Sequence, residues 1–238
     1  MTDLLQLALE AHGGVKRWNE LHEAEAKLSI GGALWELQQK ADLFKNIHIQ
    51  YGLHEQWMTT ELMGDGRRMV FTRDRMSIET ATGDSIETLD APRASFSGQP
   101  ITAQWNDLQA GYFNSYALWT YLTIPFLYAQ PGFTREELTA WEENDEIWRP
   151  LKVTFPPSIA THTKEQISYF GQDCLLRRHQ YTVDVLGRAK GLNYAYNYCD
   201  FDGIAVPTCR RVYAYDENRR KVPESVLVAI DIEEVHFH

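Results

Sequence analysis

One predicted strand carries three side chains that could bind an anion or move a proton. Arg177, His179 and Tyr181 occupy alternate positions of the segment Leu175–Val183, whose end residues on the same side are apolar. Because successive strand residues point to opposite faces, we expect all three to share the inner face of a sheet. A guanidinium in apolar surroundings needs a carboxylate or a ligand anion, and a histidine there could act as an acid or base. All three are therefore predicted to bind a ligand, with His179 and Tyr181 as catalytic candidates. The alternative is that Arg177 only pairs with a carboxylate at the rim.

His162 is a further catalytic candidate. It lies in a polar stretch that follows Pro156-Pro157. This composition predicts a loop between strands, and loops at barrel mouths often contact ligands. The alternative is an exposed loop histidine without a role.

Four aromatic side chains recur at helical spacing and could line a ligand pocket: Trp105, Tyr112, Tyr116 and Trp119. Aromatic rings carry large apolar areas and are common in pocket walls. A stripe of this kind is more often core than ligand site, so the alternative is that the four rings only fill the interior.

The segment 102–129 is predicted to form the helix that carries these rings. Its apolar residues fall on nearly every side, which is typical of a helix that is buried all round. Thr102 or Asn106 could cap its N-terminus, and Pro125 is expected to end or kink it.

Short strands are predicted on both sides of this helix. A helix over residues 2–21, with Thr2 as a possible N-cap and a break at Gly13-Gly14, precedes them. Ala24, Ala26, Leu28 and Ile30 alternate with polar residues, Leu34–Leu37 is expected to extend this strand past a bulge, and Asp65-Gly66 indicates a hairpin turn.

Many short strands without helices between them favour antiparallel pairing. The predicted fold class is mainly β (α+β): a curved antiparallel sheet, or incomplete barrel, wrapped around aromatic-rich helices. No linker or repeat is evident, so residues 1–238 are expected to form a single domain.

Composition limits the kinds of molecule that the protein is expected to bind. The chain has 238 residues and a formal net charge of −10, so nucleic acid is not an expected partner. The pair Arg210-Arg211 is interpreted as part of a solvated face. No apolar stretch approaches about 18 residues, so no membrane span is expected.

The cysteine pattern and the absence of known motifs indicate which cofactors and which redox state to expect. There are three cysteines without CxxC spacing, and the N-terminus does not resemble a signal peptide. Reduced thiols and a cytoplasmic location are therefore expected. No metal-ligand spacing and no nucleotide-binding motif is present, so no metal and no cofactor is predicted.

Two stretches near the C-terminus resemble the LolA/LolB-like fold of lipoprotein-carrier-type proteins. One is residues 166–173 running into 175–181, where Gly171-Gln172-Asp173 precedes a basic strand. The other is residues 198–208, where an Asp-x-Asp-Gly turn and Pro207 precede another strand. The resemblance implies an incomplete β-barrel with a hydrophobic inner face and a mouth closed by helices.

The leading hypothesis is the binding of a small hydrophobic or amphipathic molecule, with an acidic group met by Arg177. The alternative is a cofactor-independent enzyme of the isomerase, cyclase or hydrolase type. It would use His179 or His162 as the base and Tyr181 or Arg177 to stabilise an oxyanion. A scaffold that binds another protein through a sheet edge or apolar patch is a third hypothesis. A carboxylate within reach of His179 and Tyr181 would favour the enzyme, and an apolar hollow would favour the binding protein. The ligand and the oligomeric state are not predicted.

Overall fold

The computed structural model describes residues 3–62, 64, 66–223 and 225–238. Thr2, the predicted N-cap, and Asp65, half of the predicted hairpin signal, lie outside these residues. In the described chain the cap is Asp3, whose side chain accepts a hydrogen bond from the Leu5 backbone N–H at 3.1 Å.

Strands are the most common element among the described residues, and all of them pair antiparallel. They are β1 (Glu23–Gly31), β2 (Ile47–Gly52), β3 (Trp57–Leu62), β4 (Arg67–Thr72), β5 (Arg75–Thr80), β6 (Ser85–Asp90), β7 (Thr134–Glu137), β8 (Trp141–Glu143), β9 (Glu146–Thr154), β10 (Glu165–Phe170), β11 (Leu176–Val183), β12 (Ala189–Phe201), β13 (Ile204–Tyr213) and β14 (Val228–Phe237). Their order in the sheet is β6-β5-β4-β3-β2-β1-β14-β13-β12-β11-β10-β9-β7, and β8 pairs with β9. The first half of the chain thus joins the second through β1 and β14.

Within the described part of the chain, four α-helices accompany the sheet: α1 (Leu4–Ala11), α2 (Val15–Asn19), α3 (Ala33–Leu37) and α4 (Asp107–Thr123). The predicted break at Gly13-Gly14 separates α1 from α2. The predicted strand Leu34–Leu37 is wrong, because this segment is helix α3. Gly32 has a φ of +112°, and the turn it begins places Trp35 in the core, with its ring 4.8 Å from that of Phe44.

Helix α4 is the centre of the fold. Asn106 caps it: the Gln109 backbone N–H donates to the Asn106 side chain at 2.8 Å, and the Asn106 backbone N–H donates to the Gln109 side chain at 3.3 Å. Every residue from 108 to 123 is buried. One side of α4 contacts β3, β4, β5 and β6, and near the other end the Tyr121 carbonyl accepts a hydrogen bond from Arg210 of β13. The sheet therefore curves around α4, which confirms the predicted fold class.

The predicted helix 102–129 is longer than the observed one. Helix α4 ends at Thr123, and a separate 3-10 turn follows at Phe126–Ala129. Pro125 accounts for the interruption, since it has no backbone N–H to continue the ladder of helical hydrogen bonds.

The junction between α1 and α2 predicts one strong glycine requirement. Gly13 has a φ of +121°, and a Cβ at this position would lie 2.2 Å from the Gly203 carbonyl oxygen. We expect Gly13→Ala to lower the free energy of unfolding by about 1–3 kcal/mol, because it combines backbone strain with a clash against backbone. Urea denaturation measures the effect. Gly31→Ala is the matched control, because Gly31 has an ordinary φ and open space at its Cβ; equal losses in the two variants would contradict this interpretation.

Candidate functional site

A cavity of about 260 Å³ lies between α4 and the inner face of β11–β14. Most of its wall is apolar and includes Trp35, Phe113, Ala117, Val183, Val212 and Ile230. The polar part of the wall consists mainly of Asn114, Tyr121, His162 and Tyr181. Leu37 and Ile101, which are also in the wall, are two of the most exposed large apolar side chains among the described residues. They place an apolar rim at its mouth.

Tyr121, His162 and Tyr181 of the wall belong to a hydrogen-bonded chain that also includes Tyr116, which does not line the cavity. The Tyr116 hydroxyl lies 3.1 Å from His162 Nδ1, and the Tyr121 hydroxyl lies 2.8 Å from His162 Nε2. The Tyr121 hydroxyl also forms a short hydrogen bond with the Tyr181 hydroxyl. A neutral imidazole has one N–H donor and one acceptor nitrogen, so two phenols satisfy both sides of the ring. The structure thus brings together His162, Tyr181 and Tyr116, which the sequence suggested, with Tyr121, which it did not.

A tightly bonded loop positions His162. The Gln56 side chain bonds the backbone N–H and carbonyl of Ala160 at 2.7 and 2.8 Å. Arg93 donates to the Thr161 carbonyl at 2.8 Å, and Gln166 donates to the Thr163 carbonyl at 2.8 Å. His162 is consequently only 2% exposed. Its loop was predicted correctly, but the alternative of an exposed histidine is wrong.

Burial fixes the protonation states in this chain. Desolvation, with a smaller contribution from Arg93, lowers the pKa of His162 to about 3. Desolvation is also the main cause that raises the pKa of Tyr116, Tyr121 and Tyr181. At neutral pH the wall therefore presents a neutral imidazole and neutral phenols. Such groups can exchange hydrogen bonds with a polar group on a bound molecule, but an imidazole of this pKa is a weak general base.

These pKa shifts predict a loss of stability in mild acid. The unfolded chain takes up a proton at His162 below pH 6.5, whereas the folded chain does so only near pH 3. The unfolded state binds more protons in this window, so the free energy of unfolding falls as the pH falls. His162 alone contributes about 1.4 kcal/mol per pH unit.

Urea denaturation between pH 6.5 and pH 4.5 measures this slope. We expect His162→Gln to flatten it by about one proton. An unchanged slope in His162→Gln would contradict the assignment of a neutral His162.

His179 lies on the inner face of β11, as predicted, but behind the cavity wall. It is fully buried, and its ring centroid is 5.2 Å from that of Tyr181. Both of its ring nitrogens are without a hydrogen-bond partner among the described residues. Burial, followed by His162 and Arg210, lowers its pKa. The described residues bring no carboxylate into hydrogen-bond contact with His179 or Tyr181.

The predicted inner position of Arg177 is wrong. In the pairing of β10 with β11, Tyr169 lies opposite Arg178 and Phe170 lies opposite Leu176, so Arg177 is the extra residue of a β-bulge. Leu176 takes the inner place instead. The Arg177 side chain is 25% exposed and pairs with Asp173 at 2.7 Å and with Glu146 at 3.6 Å. Its location matches the alternative of a carboxylate-paired arginine at the rim.

The interior does contain an arginine, which sequence reasoning missed. Arg210 of β13 is buried, while its neighbour Arg211 pairs with Asp231 at 2.7 Å on the outer side. The interpretation of both as a solvated face is therefore wrong for Arg210. The available signal was the alternation of Ile204, Val206 and Val212, which places position 210 on the apolar face.

The predicted aromatic residues separate into three environments. Tyr116 belongs to the chain around His162. Tyr112 lines a different, more polar groove of about 510 Å³, together with Arg93 and Asp184. Trp105 packs behind the cavity wall, with its ring 4.8 Å from that of Phe113, and Trp119 donates its indole N–H to the Gly52 carbonyl at 2.7 Å. None of the four rings lines the cavity itself, which corrects their predicted common pocket role.

No group of three or more His, Cys, Asp or Glu side chains in the described part of the chain is arranged to hold a metal ion. None of the helices that the structure describes is long and apolar enough to cross a membrane.

Comparison with known proteins defines the fold. No family model and no curated protein sequence matches the chain. Several solved structures, in contrast, match the chain over nearly its whole length. A DUF1329 family protein from Desulfovibrio piger superposes with a TM-score of 0.55 at 10% identity, covering 98% of this chain and 91% of that one. A LolA superfamily protein from Nitrosomonas europaea gives a TM-score of 0.56 at 8% identity, with coverages of 99% and 92%.

A third structure agrees with these two. A protein from Vibrio parahaemolyticus assigned as an outer membrane lipoprotein-sorting protein domain gives a TM-score of 0.54 at 10% identity, with coverages of 98% and 92%. The chain therefore has a LolA-like fold, which confirms the resemblance seen in the sequence. Identities this low concern the fold alone.

Proposed function

We propose that this protein binds a small hydrophobic or amphipathic molecule in the cavity between α4 and β11–β14. The observation that carries the proposal is the cavity itself: about 260 Å³ of space inside the curve of the sheet, with a wall that is mostly apolar. Ligand pockets are typically apolar concavities with a few convergent polar groups, and since those for drug-sized molecules begin near about 300 Å³, this cavity suits a smaller ligand. Tyr121, His162 and Tyr181 are the convergent polar groups here.

The mouth of the cavity supports the same function. Leu37 is 53% exposed and Ile101 is 55% exposed. Apolar side chains at an opening lower the cost of bringing an apolar molecule out of water. The Vibrio protein of similar fold, assigned to lipoprotein sorting, is in keeping with a cavity that accepts apolar chains.

The enzyme hypothesis has weaker support. It needs a base, and burial lowers the pKa of His162 to about 3 while phenols occupy both of its ring nitrogens. His179 has no carboxylate to orient it among the described residues. The wall around Tyr121, His162 and Tyr181 is better suited to holding a ligand than to moving a proton.

Titration with N-phenyl-1-naphthylamine, a neutral dye that fluoresces in apolar surroundings, tests the binding function. We expect saturable binding of one dye per chain. Prior addition of a small aliphatic alcohol should reduce it, because the two compete for the cavity. A signal that rises linearly without saturation would contradict the proposal.

The cellular location is a separate proposal. Cys174, Cys199 and Cys209 are free thiols, which supports a reducing compartment such as the cytoplasm. Cell fractionation of the native host, with antibody detection of the protein, tests it; recovery of the protein outside the cytoplasm would contradict it.

A further inference from the structure

Arg210 is a buried cation without a counterion among the described residues. It is 2% exposed, and its Nη2 atom donates to the Tyr121 carbonyl at 2.7 Å. Its Nε and Nη1 atoms have no hydrogen-bond partner among the described residues. The groups that interact with its charge most strongly are tyrosines, Tyr198 and Tyr121 first. Transfer of a guanidinium from water to such a position is expensive unless an anion accompanies it.

Two further unpartnered side chains lie beside Arg210. Asn193 of β12 is directly opposite His179 of β11 in the sheet, and Arg210 is opposite Ala195, the next inward residue of β12. Arg210 and Asn193 are thus diagonal neighbours, which long side chains can bridge. Both ring nitrogens of His179 have no partner among the described residues. The Asn193 amide lies close enough to the Tyr121 hydroxyl to affect its pKa, but neither of its polar atoms makes a hydrogen bond of good geometry with a described residue. The adjacent strands β11, β12 and β13 therefore bring the side chains of His179, Asn193 and Arg210 together on the inner face of the sheet.

This place adjoins the cavity. Val212 lies opposite Asn193 in the sheet and lines the cavity, and so do Tyr181 and Gly191, which lie opposite each other. Arg210 is two residues from Val212 on the same face of β13, a step of about 7 Å along the strand. Tyr121 connects the two places, because it lines the cavity and its ring centre lies 5.6 Å from the Arg210 guanidinium carbon. Arg210, Asn193 and His179 thus lie behind the part of the cavity wall that Tyr121 and Tyr181 form.

We propose that the ligand is an amphipathic carboxylic acid, whose apolar part fills the cavity and whose carboxylate parts the hydrogen-bonded Tyr121 and Tyr181 hydroxyls to reach Arg210, with Asn193 and His179 beside it. This inference rests on the proposed binding function and names the class of ligand. A single carboxylate matches the single positive charge. Charge-assisted hydrogen bonds from a guanidinium to a carboxylate are among the strongest in proteins. The Tyr121 and Tyr181 hydroxyls can also donate to the carboxylate as it passes between them.

The test compares an acid with an alcohol of the same length. Octanoate and octan-1-ol are used to displace N-phenyl-1-naphthylamine at neutral pH from the full chain. We expect octanoate to bind at least about tenfold more tightly than octan-1-ol, because only the acid gains the charged contact. In Arg210→Met this ratio should fall to about one, while octan-1-ol affinity stays within about threefold of the wild type.

Arg211→Met is the matched control. It removes the adjacent arginine, whose side chain points to the outer face and pairs with Asp231, so the ratio should be unchanged. Equal binding of acid and alcohol to the wild type would overturn the inference, and so would a preference for acid that survives Arg210→Met. The comparison in the wild type remains decisive if Arg210→Met fails to fold, because it needs no variant.

Failure of the underlying function gives a different result. If octan-1-ol displaces the dye and octanoate shows no advantage, the cavity binds apolar molecules and only the carboxylate assignment is wrong. If the dye itself does not bind, the cavity proposal and the carboxylate assignment are both wrong.

Discussion

In Ala117→Phe, binding of N-phenyl-1-naphthylamine is expected to weaken by at least about 30-fold, or about 2 kcal/mol. Ala117 is a buried residue of α4 whose side chain lines the cavity. A cavity of about 150 Å³ is enough to hold one benzene molecule, so a phenyl ring here takes up a large part of the 260 Å³ present. The melting temperature should stay the same or rise, because the new ring buries apolar surface in existing space.

The other groove provides the control for this variant. Ala94 lines the polar groove that also contains Arg93 and Tyr112, and Ala94→Phe makes the same substitution there. We expect Ala94→Phe to bind the dye as the wild type does. Binding that is lost in Ala94→Phe and kept in Ala117→Phe would assign the ligand site to the wrong concavity and contradict this account.

Glu143→Ala is expected to cost about 3–5 kcal/mol of unfolding free energy, the usual effect of leaving a buried charge without its partner. Glu143 is 8% exposed and accepts hydrogen bonds from the Trp141 indole at 2.8 Å, from the Tyr194 hydroxyl and from Arg178. Arg178 is fully buried on the outer face of β11, with its guanidinium carbon 3.8 Å from the centre of the Tyr169 ring. Removal of Glu143 therefore leaves this buried guanidinium among aromatic rings without its counterion.

The double variant Glu143→Leu with Arg178→Met separates a lost charge pair from lost packing. It should be far more stable than Glu143→Ala, since apolar residues of similar volume often replace a buried ion pair without loss. Arg177→Ala is the matched control, because the adjacent arginine sits in an exposed ion pair worth at most about 1 kcal/mol. Urea denaturation measures all three. A loss in Glu143→Ala no larger than that in Arg177→Ala would contradict the account of this outer cluster.

Elements that obey a simple period could be predicted from the sequence. The alternation of Ala24, Ala26, Leu28 and Ile30 describes β1 correctly, since all four are buried in the structure. The aromatic helix was also recognisable, because rings at helical spacing on every side need an element buried all round. Its cap at Asn106 and its interruption near Pro125 follow from local chemistry.

The candidate site was harder to predict, because it depends on details that break the period. A single bulge residue moves Arg177 out of the inner row and leaves only His179 and Tyr181 there. The bulge reverses the predicted face of the residues that precede it, so Leu176 takes the inner place expected for Arg177, whereas the residues that follow keep their predicted faces. The sequence around Arg177 carries no glycine or proline that would have indicated the bulge.

Long-range contacts explain why the burial of His162 could not be predicted. His162 is buried because Gln56 and Arg93, which are far away in the sequence, bind the backbone of its loop.

Arg210 was misassigned because a pair of adjacent arginines usually indicates a solvent-exposed surface. The strand pattern should have outweighed that composition, since one of two adjacent strand residues must face inward.

Native mass spectrometry of the protein purified from its own host tests the central claim most directly. We predict one additional mass per chain, of a small molecule that is released on denaturation and is absent from Ala117→Phe prepared in the same way. A chain that carries no additional mass, and that also fails to bind N-phenyl-1-naphthylamine, would contradict the claim that the cavity between α4 and β11–β14 is a ligand site.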